Sequence, residues 1–410
     1  MATKKHFINL CQRIFIFLVL FGCASHKAIS SSPIPTSCSQ VKTKWDLWRA
    51  KTCLRGANIW QKKTDRAVDG DGFGTDPVGP PYTQKDFDTL SSWGANYVNI
   101  SHPGLYTETA PYKVDPDAVA NLDALLVKIA KANLYAVISF RTGPGKNEAS
   151  FSDGDSKANN DVWKSADAQN AWVEMWKFTA QRYAGSVNVV GYDLMVEPNS
   201  NAVLLKNDNP VDFYSKYKDS LYDFAPLARN ITKAIRSVDE NTPVLVGTMD
   251  WSSIYWLEHT PLMEDTKTVY TIHHYAPYEY THQTSSLKIS YPGTLPGGER
   301  FNSSWLANYL KPVATFMQKN NAPVAVNEFG VMRWEKGATS YLDTQMSTLE
   351  NSGVSYAYWL WESSWKGITY NEFDYRKGTK MRNQTNQTSN DLIQVLKKYW
   401  KKNLARPKTS

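Results

Sequence analysis

GYDLMVEPN (residues 191–199) and APVAVNEFG (residues 322–330) each end a short apolar run on a glutamate, Glu197 and Glu328. Such runs read as strands of a parallel sheet, in which covering helices shield both faces from water. The runs are best bounded as 189–195 and 324–326, and six more share their character: 54–59, 96–100, 135–140, 244–248, 269–273 and 356–360. Between them lie amphipathic stretches. The clearest has Asp115 as cap and Pro116 in its first turn, followed by Leu122, Leu125, Leu126 and Ile129 on one face. Two others carry the stripes Tyr217, Leu221, Phe224, Ile231 and Trp305, Tyr309, Val313, Phe316, with Pro226 and Pro312 expected to break or bend them. Strand–helix alternation repeated eight times predicts an α/β fold, a single (β/α)8 TIM barrel over residues 44–405.

Length and composition fit one such domain. The 410 residues are 42% apolar and 21% charged, ordinary for a globular chain, so the 15 Trp and 23 Tyr stand out. They read either as a large aromatic core or as flat platforms for sugar rings. The net charge of +7 is partly confined to the N-terminal head and the tail KKYWKKNLARPK. No basic stripe tracks phosphates, which argues against a nucleic-acid partner.

Residues 1–22 read as a signal peptide, with Lys4 and Lys5 as its charged head and an apolar run from Ile14 to Phe21 too short to span a bilayer. The run ends in Leu20-Phe21-Gly22-Cys23, which resembles a bacterial lipobox and would make Cys23 a lipidation site; ordinary cleavage nearby is the alternative. Residues 23–43 suit a polar tether. Cys38 and Cys53 remain as an even pair in an oxidising compartment, expected to form a disulfide before the first strand. Nothing in the spacing of Cys or His suggests a metal or another cofactor. The chain is expected to be a secreted or envelope-anchored monomer, touching membrane only through a lipid.

In a barrel, residues at the C-terminal ends of strands meet at one mouth, and two carboxylates there are the usual means of cleaving a glycosidic bond. The Gly-, Pro- and Tyr-rich segments 61–83 and 275–302 should be long loops over that mouth. In sequence order, LRGANIW (54–60), Val196-Glu197-Pro198, HHYAPYEYTHQ (273–283), VNEFGV (326–331) and YAYWLW (356–361) resemble glycoside hydrolase family 5 over roughly residues 50–400. The resemblance implies retaining hydrolysis of a β-linked polysaccharide or oligosaccharide, cellulase-like. Glu197 would be acid/base, with a raised pKa, and Glu328 an ionised nucleophile. It also implies substrate-site roles for Tyr275, as a hydrogen-bond donor to Glu328, and for His273, as a partner of Glu197 or of a sugar hydroxyl, with Trp359 as floor of the cleavage subsite, Trp361 second, and Trp60 among the groove-lining aromatics.

The chain departs from the family pattern in three places. Asn99 stands where an Arg is usual near the end of strand 2 and is expected to contact substrate there, and Arg141 stands where a His is usual after strand 3. With His102 following strand 2, the two side-chain types could have exchanged strands, so that Arg141 lowers the nucleophile's pKa and His102 contacts substrate; an ordinary ion pair for Arg141 is the other reading. Val196 replaces the Asn that would bond a sugar 2-hydroxyl, leaving Asn327 or Asn199 to approach from elsewhere. A mannanase, a glycan-binding barrel without turnover, and an adhesin are the alternatives.

Overall fold

The computed structural model describes residues 36–63, 77–152, 154–284, 288–365 and 371–408. Eight parallel strands close into a barrel: β1 (Arg55–Trp60), β2 (Tyr97–His102), β3 (Tyr135–Phe140), β4 (Val189–Asp193), β5 (Val244–Gly247), β6 (Thr268–His274), β7 (Val324–Phe329) and β8 (Ser355–Tyr358). Each strand pairs with its neighbours in sequence, and β1 pairs in parallel with both β2 and β8, which closes the ring. All eight match the apolar runs of the sequence.

Around the ring run α1 (Gln84–Ser92), α2 (Pro116–Lys131), α3 (Ala166–Tyr183), α4 (Phe224–Arg236), α5 (Ser303–Asn320), α6 (Ala338–Asn351) and α7 (Asp391–Trp400). Asp115 caps α2 as expected, accepting from the amides of Asp117 and Ala118. Two expectations fail. The stripe Tyr217 to Ile231 is two elements: a short helix, Pro210–Tyr217, ends before Asp223 caps α4, and Pro226 sits in the first turn of α4, where its missing N–H is harmless. Helix α5 runs through Pro312, whose ring lies on the exposed face. Between β5 and β6 the described chain makes only a left-handed turn and the 3-10 segment Ile254–His259.

The barrel's lower end is filled by Tyr97, Val137, Val190, Leu245, Val269 and Ala357, and is plugged by Leu47 and Trp48. The Trp48 indole donates to the Val190 carbonyl at 2.8 Å. Gly56 of β1 lies so close to β2 that any Cβ there would stand 1.9 Å from the Tyr97 carbonyl oxygen, so only glycine fits. Cys38 and Cys53 are joined in a disulfide just ahead of β1. The amides of Lys42 and Thr43 donate to Asp46, so the described end of the expected tether is folded structure. The expected signal segment and Cys23 lie outside the described residues.

Above the apolar plug the interior turns polar. Asn327 Nδ2 donates to Asp193 Oδ2, Asn58 Nδ2 to the Asn327 carbonyl, Asn99 Nδ2 to Asn58 Oδ1, and Ser139 Oγ to Asn99 Oδ1, all at 2.7–2.8 Å. This belt links five strands and forms the floor of the mouth. Buried amides and hydroxyls are tolerable here because they bond to one another.

Candidate active site

Glu197 follows β4 by four residues and adopts φ +55°, a left-handed conformation that costs a non-glycine residue roughly 1–2 kcal/mol. Several bonds hold it there. Val196 N donates to the Phe140 carbonyl, and Trp251 N donates to that of Pro198. Asn199 Nδ2 donates to the Ser150 carbonyl, and Asn201 exchanges bonds with Asp250. Glu328 is placed by a β-bulge: Val326 pairs with Ile272 of β6 but Glu328 with His273, so Asn327 is the extra residue. The bulge breaks the two-residue alternation, sending Asn327 into the belt and Glu328 into the mouth.

His273 lies between the two acids. Its Nδ1 donates to Glu197 Oε1 at 2.8 Å and stands 3.4 Å from Glu328 Oε2. One donor atom from each of the three residues falls within 4.8 Å of the others. Tyr275 donates its hydroxyl to Glu328 Oε2 at 3.1 Å. The side chain of Glu328 is 6% exposed and that of Glu197 21%, so the acid after β4 is the one that meets solvent.

Burial opposes the imidazolium, but Glu328 and the hydrogen-bonded Glu197 outweigh it and lift His273 to about 9. Burial also pushes Glu328 up to about 7; repulsion from Glu197 adds to this, against the pull of His273, Arg141 and Tyr275. For Glu197, burial is overcome by the His273 bond and by the charges of Arg141 and Lys146, and its carboxyl falls below the usual range. This resting polarity is the reverse of the one expected from sequence, because the closer His273 bond goes to Glu197. Among the described residues, the trio is the only group with metal-ligand composition.

Arg141 reaches the mouth. Its guanidinium binds Glu148 through Nε and Nη2, donates to Ser101 Oγ at 2.9 Å, and lies 5.4 Å from the centre of the Trp60 ring. It is an ion-pair partner whose charge is also felt by both Glu328 and Glu197. Trp60 and the half-buried Trp359 tilt toward each other at 6.3 Å, and with Tyr275 and Trp334 they pack on Met332, Leu360 and Phe373.

Four expectations are corrected. His102 is fully buried, bonded to the Pro103 carbonyl and to Asn121, and burial pulls it down to about 4; it faces α2 rather than substrate. Asn99 is a belt residue, 1% exposed. Trp361 is core: it donates to the Asp86 carbonyl and is enclosed by Trp93, Trp400 and Arg376. Asn327 and Asn199 are buried, at 1% and 0% exposure, and point an N–H to Asp193 and to the Ser150 carbonyl, so neither replaces the amide lost at Val196.

The sequence reading missed Asp193, Glu148, Lys146 and Trp334. Asp193 is buried in the belt and pushed up to about 6 by burial, against His273, Ser139 and Asn327. Its place at the end of the strand leading to Glu197 was the available signal. The loop residues Lys146 and Glu148 gave none.

Residues 61–364, well over half of the chain, match the family model Cellulase (glycosyl hydrolase family 5). Endoglucanase C of Acetivibrio thermocellus is 22% identical over 311 residues, covering 68% of this chain and 83% of that one. Endoglucanase 3 of Fibrobacter succinogenes is 24% identical over 274 residues, covering 58% of this chain and 38% of that one. Among solved structures, Thermotoga maritima Cel5A in complex with cellobiose superposes with a TM-score of 0.60 at 19% identity, over 85% of this chain and 98% of that one. The same enzyme in complex with mannotriose gives 0.60 at 19% identity over the same shares. A hyperthermophilic endo-β-1,4-glucanase gives 0.62 at 17%, over 87% of this chain and all of that one. With a family model covering strands β2 to β8 and both strand-end acids, the chain belongs to glycosyl hydrolase family 5 and is a hydrolase of O-glycosyl bonds.

Proposed function

We propose that this glycosidase cleaves β-1,4-linked glucan by double displacement, with Glu328 as nucleophile and Glu197 as acid/base. The observation that carries the reading is the closeness of the acids. Carboxyl groups about 5–5.5 Å apart suit a covalent route, whereas inverting enzymes need about 6.5–9.5 Å to admit a water; here one carboxylate oxygen of each acid lies within 4.8 Å of the other, on the short side of that divide. In the first step a Glu328 oxygen bonds to the anomeric carbon as the glycosidic C–O bond breaks, and the leaving oxygen takes a proton from Glu197. In the second, Glu197 removes a proton from water, whose oxygen attacks the same carbon and releases Glu328.

The resting polarity fits this scheme once protons are counted. An imidazolium with two carboxylates carries as many protons as a neutral His273 with a protonated Glu197 and an ionised Glu328. Moving one proton along the 2.8 Å bond from His273 Nδ1 to Glu197 Oε1 converts the first state into the second. His273 is thus a proton reservoir for the acid, and Tyr275 steadies the nucleophile's charge.

The names of relatives support a glucan substrate. Mannan is the second reading, favoured by the buried valine at position 196, whose side chain offers no hydrogen bond to a 2-hydroxyl. Residues 1–22 as an export signal and Cys23 as a lipid anchor would place a monomeric enzyme at the cell envelope, without nucleic-acid partners. Expression of a Cys23→Ser variant tests the anchor: the chain should leave the membrane fraction, and unchanged fractionation would refute it.

Turnover of a soluble β-glucan by Glu328→Gln should fall at least about a thousandfold. Glu197→Ala should lose about 10²–10⁴-fold on substrates with poor leaving groups and much less on an activated aryl glycoside. Near-normal rates for either variant on the glucan would remove the role given to that residue. The pH profile of kcat/KM should be a bell. Activity is lost below about 7 as Glu328 takes up a proton, and above about 9 as the His273–Glu197 pair gives one up. A flat profile across that range contradicts the proton count. Trp359→Ala should raise KM roughly three- to tenfold with the fold intact, as loss of ring stacking implies. Trp361→Ala should instead cost about 3–5 kcal/mol of stability, read from denaturant midpoints, and the opposite pattern would mean the two have been misassigned.

A further inference from the structure

Tyr275 donates its hydroxyl to Glu328 but lies one residue beyond the end of β6. Past a strand end, backbone carbonyls lose the ladder and need other partners. Here the last carbonyl of the strand and the next two are each met by a side chain. Gln345 Nε2 donates to the His274 carbonyl at 3.1 Å, Thr281 Oγ1 to that of Tyr275 at 2.6 Å, and the Tyr341 hydroxyl to that of Ala276 at 2.6 Å. All three donor residues are 0% exposed. Tyr341 and Gln345 sit one turn apart on α6, so the two outer bonds come from one rigid element. Thr281 supplies the middle bond from the far side of the loop. With its proton given to that carbonyl, its Oγ1 accepts from His282 Nδ1 at 2.9 Å. The His282 ring in turn stands edge-on to Tyr275 at 5.5 Å, and Phe373 does so at 5.8 Å. The Thr281 carbonyl also accepts from Met332 N, four residues after Glu328, which joins this loop to the chain carrying the nucleophile. At 3.1 Å the Tyr275–Glu328 bond has little length to spare, and a backbone shift of about half an ångström would take it out of useful range.

We propose that Thr281, Tyr341 and Gln345 are positioning residues of this glycosidase: they hold three successive carbonyls so that the Tyr275 hydroxyl meets Glu328 Oε2, and they act on the reaction through that one bond. The inference rests on Glu328 being the nucleophile. None of the three touches an acid or the open mouth; each sets where the Tyr275 backbone lies, and the stiff phenol carries that placement to the carboxylate.

The test is a double-substitution cycle in the full-length enzyme, read as kcat and KM on whichever of carboxymethylcellulose and soluble β-mannan the wild type hydrolyses, with melting curves to confirm folding. Tyr275→Phe should lower kcat about tenfold or more, as loss of a hydrogen bond to a charged group implies. Thr281→Val and Tyr341→Phe, each made alone, should lower kcat about three- to tenfold and leave KM within about twofold, since the bond they disturb serves the nucleophile rather than the sugar. Added to Tyr275→Phe, either should change kcat less than about twofold, because no hydroxyl is left to position. Tyr341→Phe keeps the ring that packs on Tyr280, Tyr291 and Phe301, so one arm of the cycle stands if Thr281→Val fails to fold. A folded variant that retains wild-type kcat, or loses the same factor with and without the Tyr275 hydroxyl, would overturn the proposal while the roles of the glutamates stand. If Glu328→Gln keeps the wild-type rate, the nucleophile assignment fails and takes this proposal with it.

Discussion

The arrangement turns on one imidazole held between two carboxylates. His273 bonds to Glu197 and lies 3.4 Å from Glu328, so two neighbouring acids can both be ionised in a space where they would otherwise repel strongly. Each acid reaches that place by an irregularity: a left-handed residue after β4 and a bulge in β7. The surrounding structure supports both. The bonds of Val196, Pro198, Asn199 and Asn201 fix the first, while Asn327, displaced by the bulge, anchors the second through Asp193. The barrel supplies directions, and these departures from regular geometry supply the approach.

The strands were legible because parallel strands covered on both sides must be apolar throughout, and the two glutamates were legible because they interrupt such runs at the end that matters. Orientation was harder. Asn99 and Ser101 of β2 point into the barrel, so strand alternation by itself places His102 outside, against α2; position along the strand had suggested otherwise. Alternation fails in the other direction at Asn327 and Glu328, where a bulge that leaves no mark in the sequence turns neighbouring side chains inward. Trp359 and Trp361 look alike in YAYWLW. Only the fold shows that the second is buried under α1 by Tyr82, whose hydroxyl donates to its carbonyl, and by the Asp86 carbonyl that accepts its indole N–H. The Tyr217–Ile231 stripe misled because helical spacing continued across a turn whose signal, Asp223 as a cap, is local.

The solved structures, at identities of 17–19%, share the fold. The electrostatics here are assembled from this chain's own residues. Arg141 is neutralised by Glu148 but still acts on both acids, and Lys146 adds an unpaired charge from the same loop. The Val196 side chain fills a buried position with no hydrogen-bonding capacity, while Trp60, Trp359 and Trp334 pack together on Met332, Leu360 and Phe373.

The most direct measurement is covalent. A 2-deoxy-2-fluoro β-glycoside with an activated leaving group slows release of a glycosyl-enzyme, and proteolysis with mass spectrometry then locates the ester. A single label on Glu328, formed with burst release of the leaving group, is the predicted result; a label on Glu197 or any other residue would contradict the account.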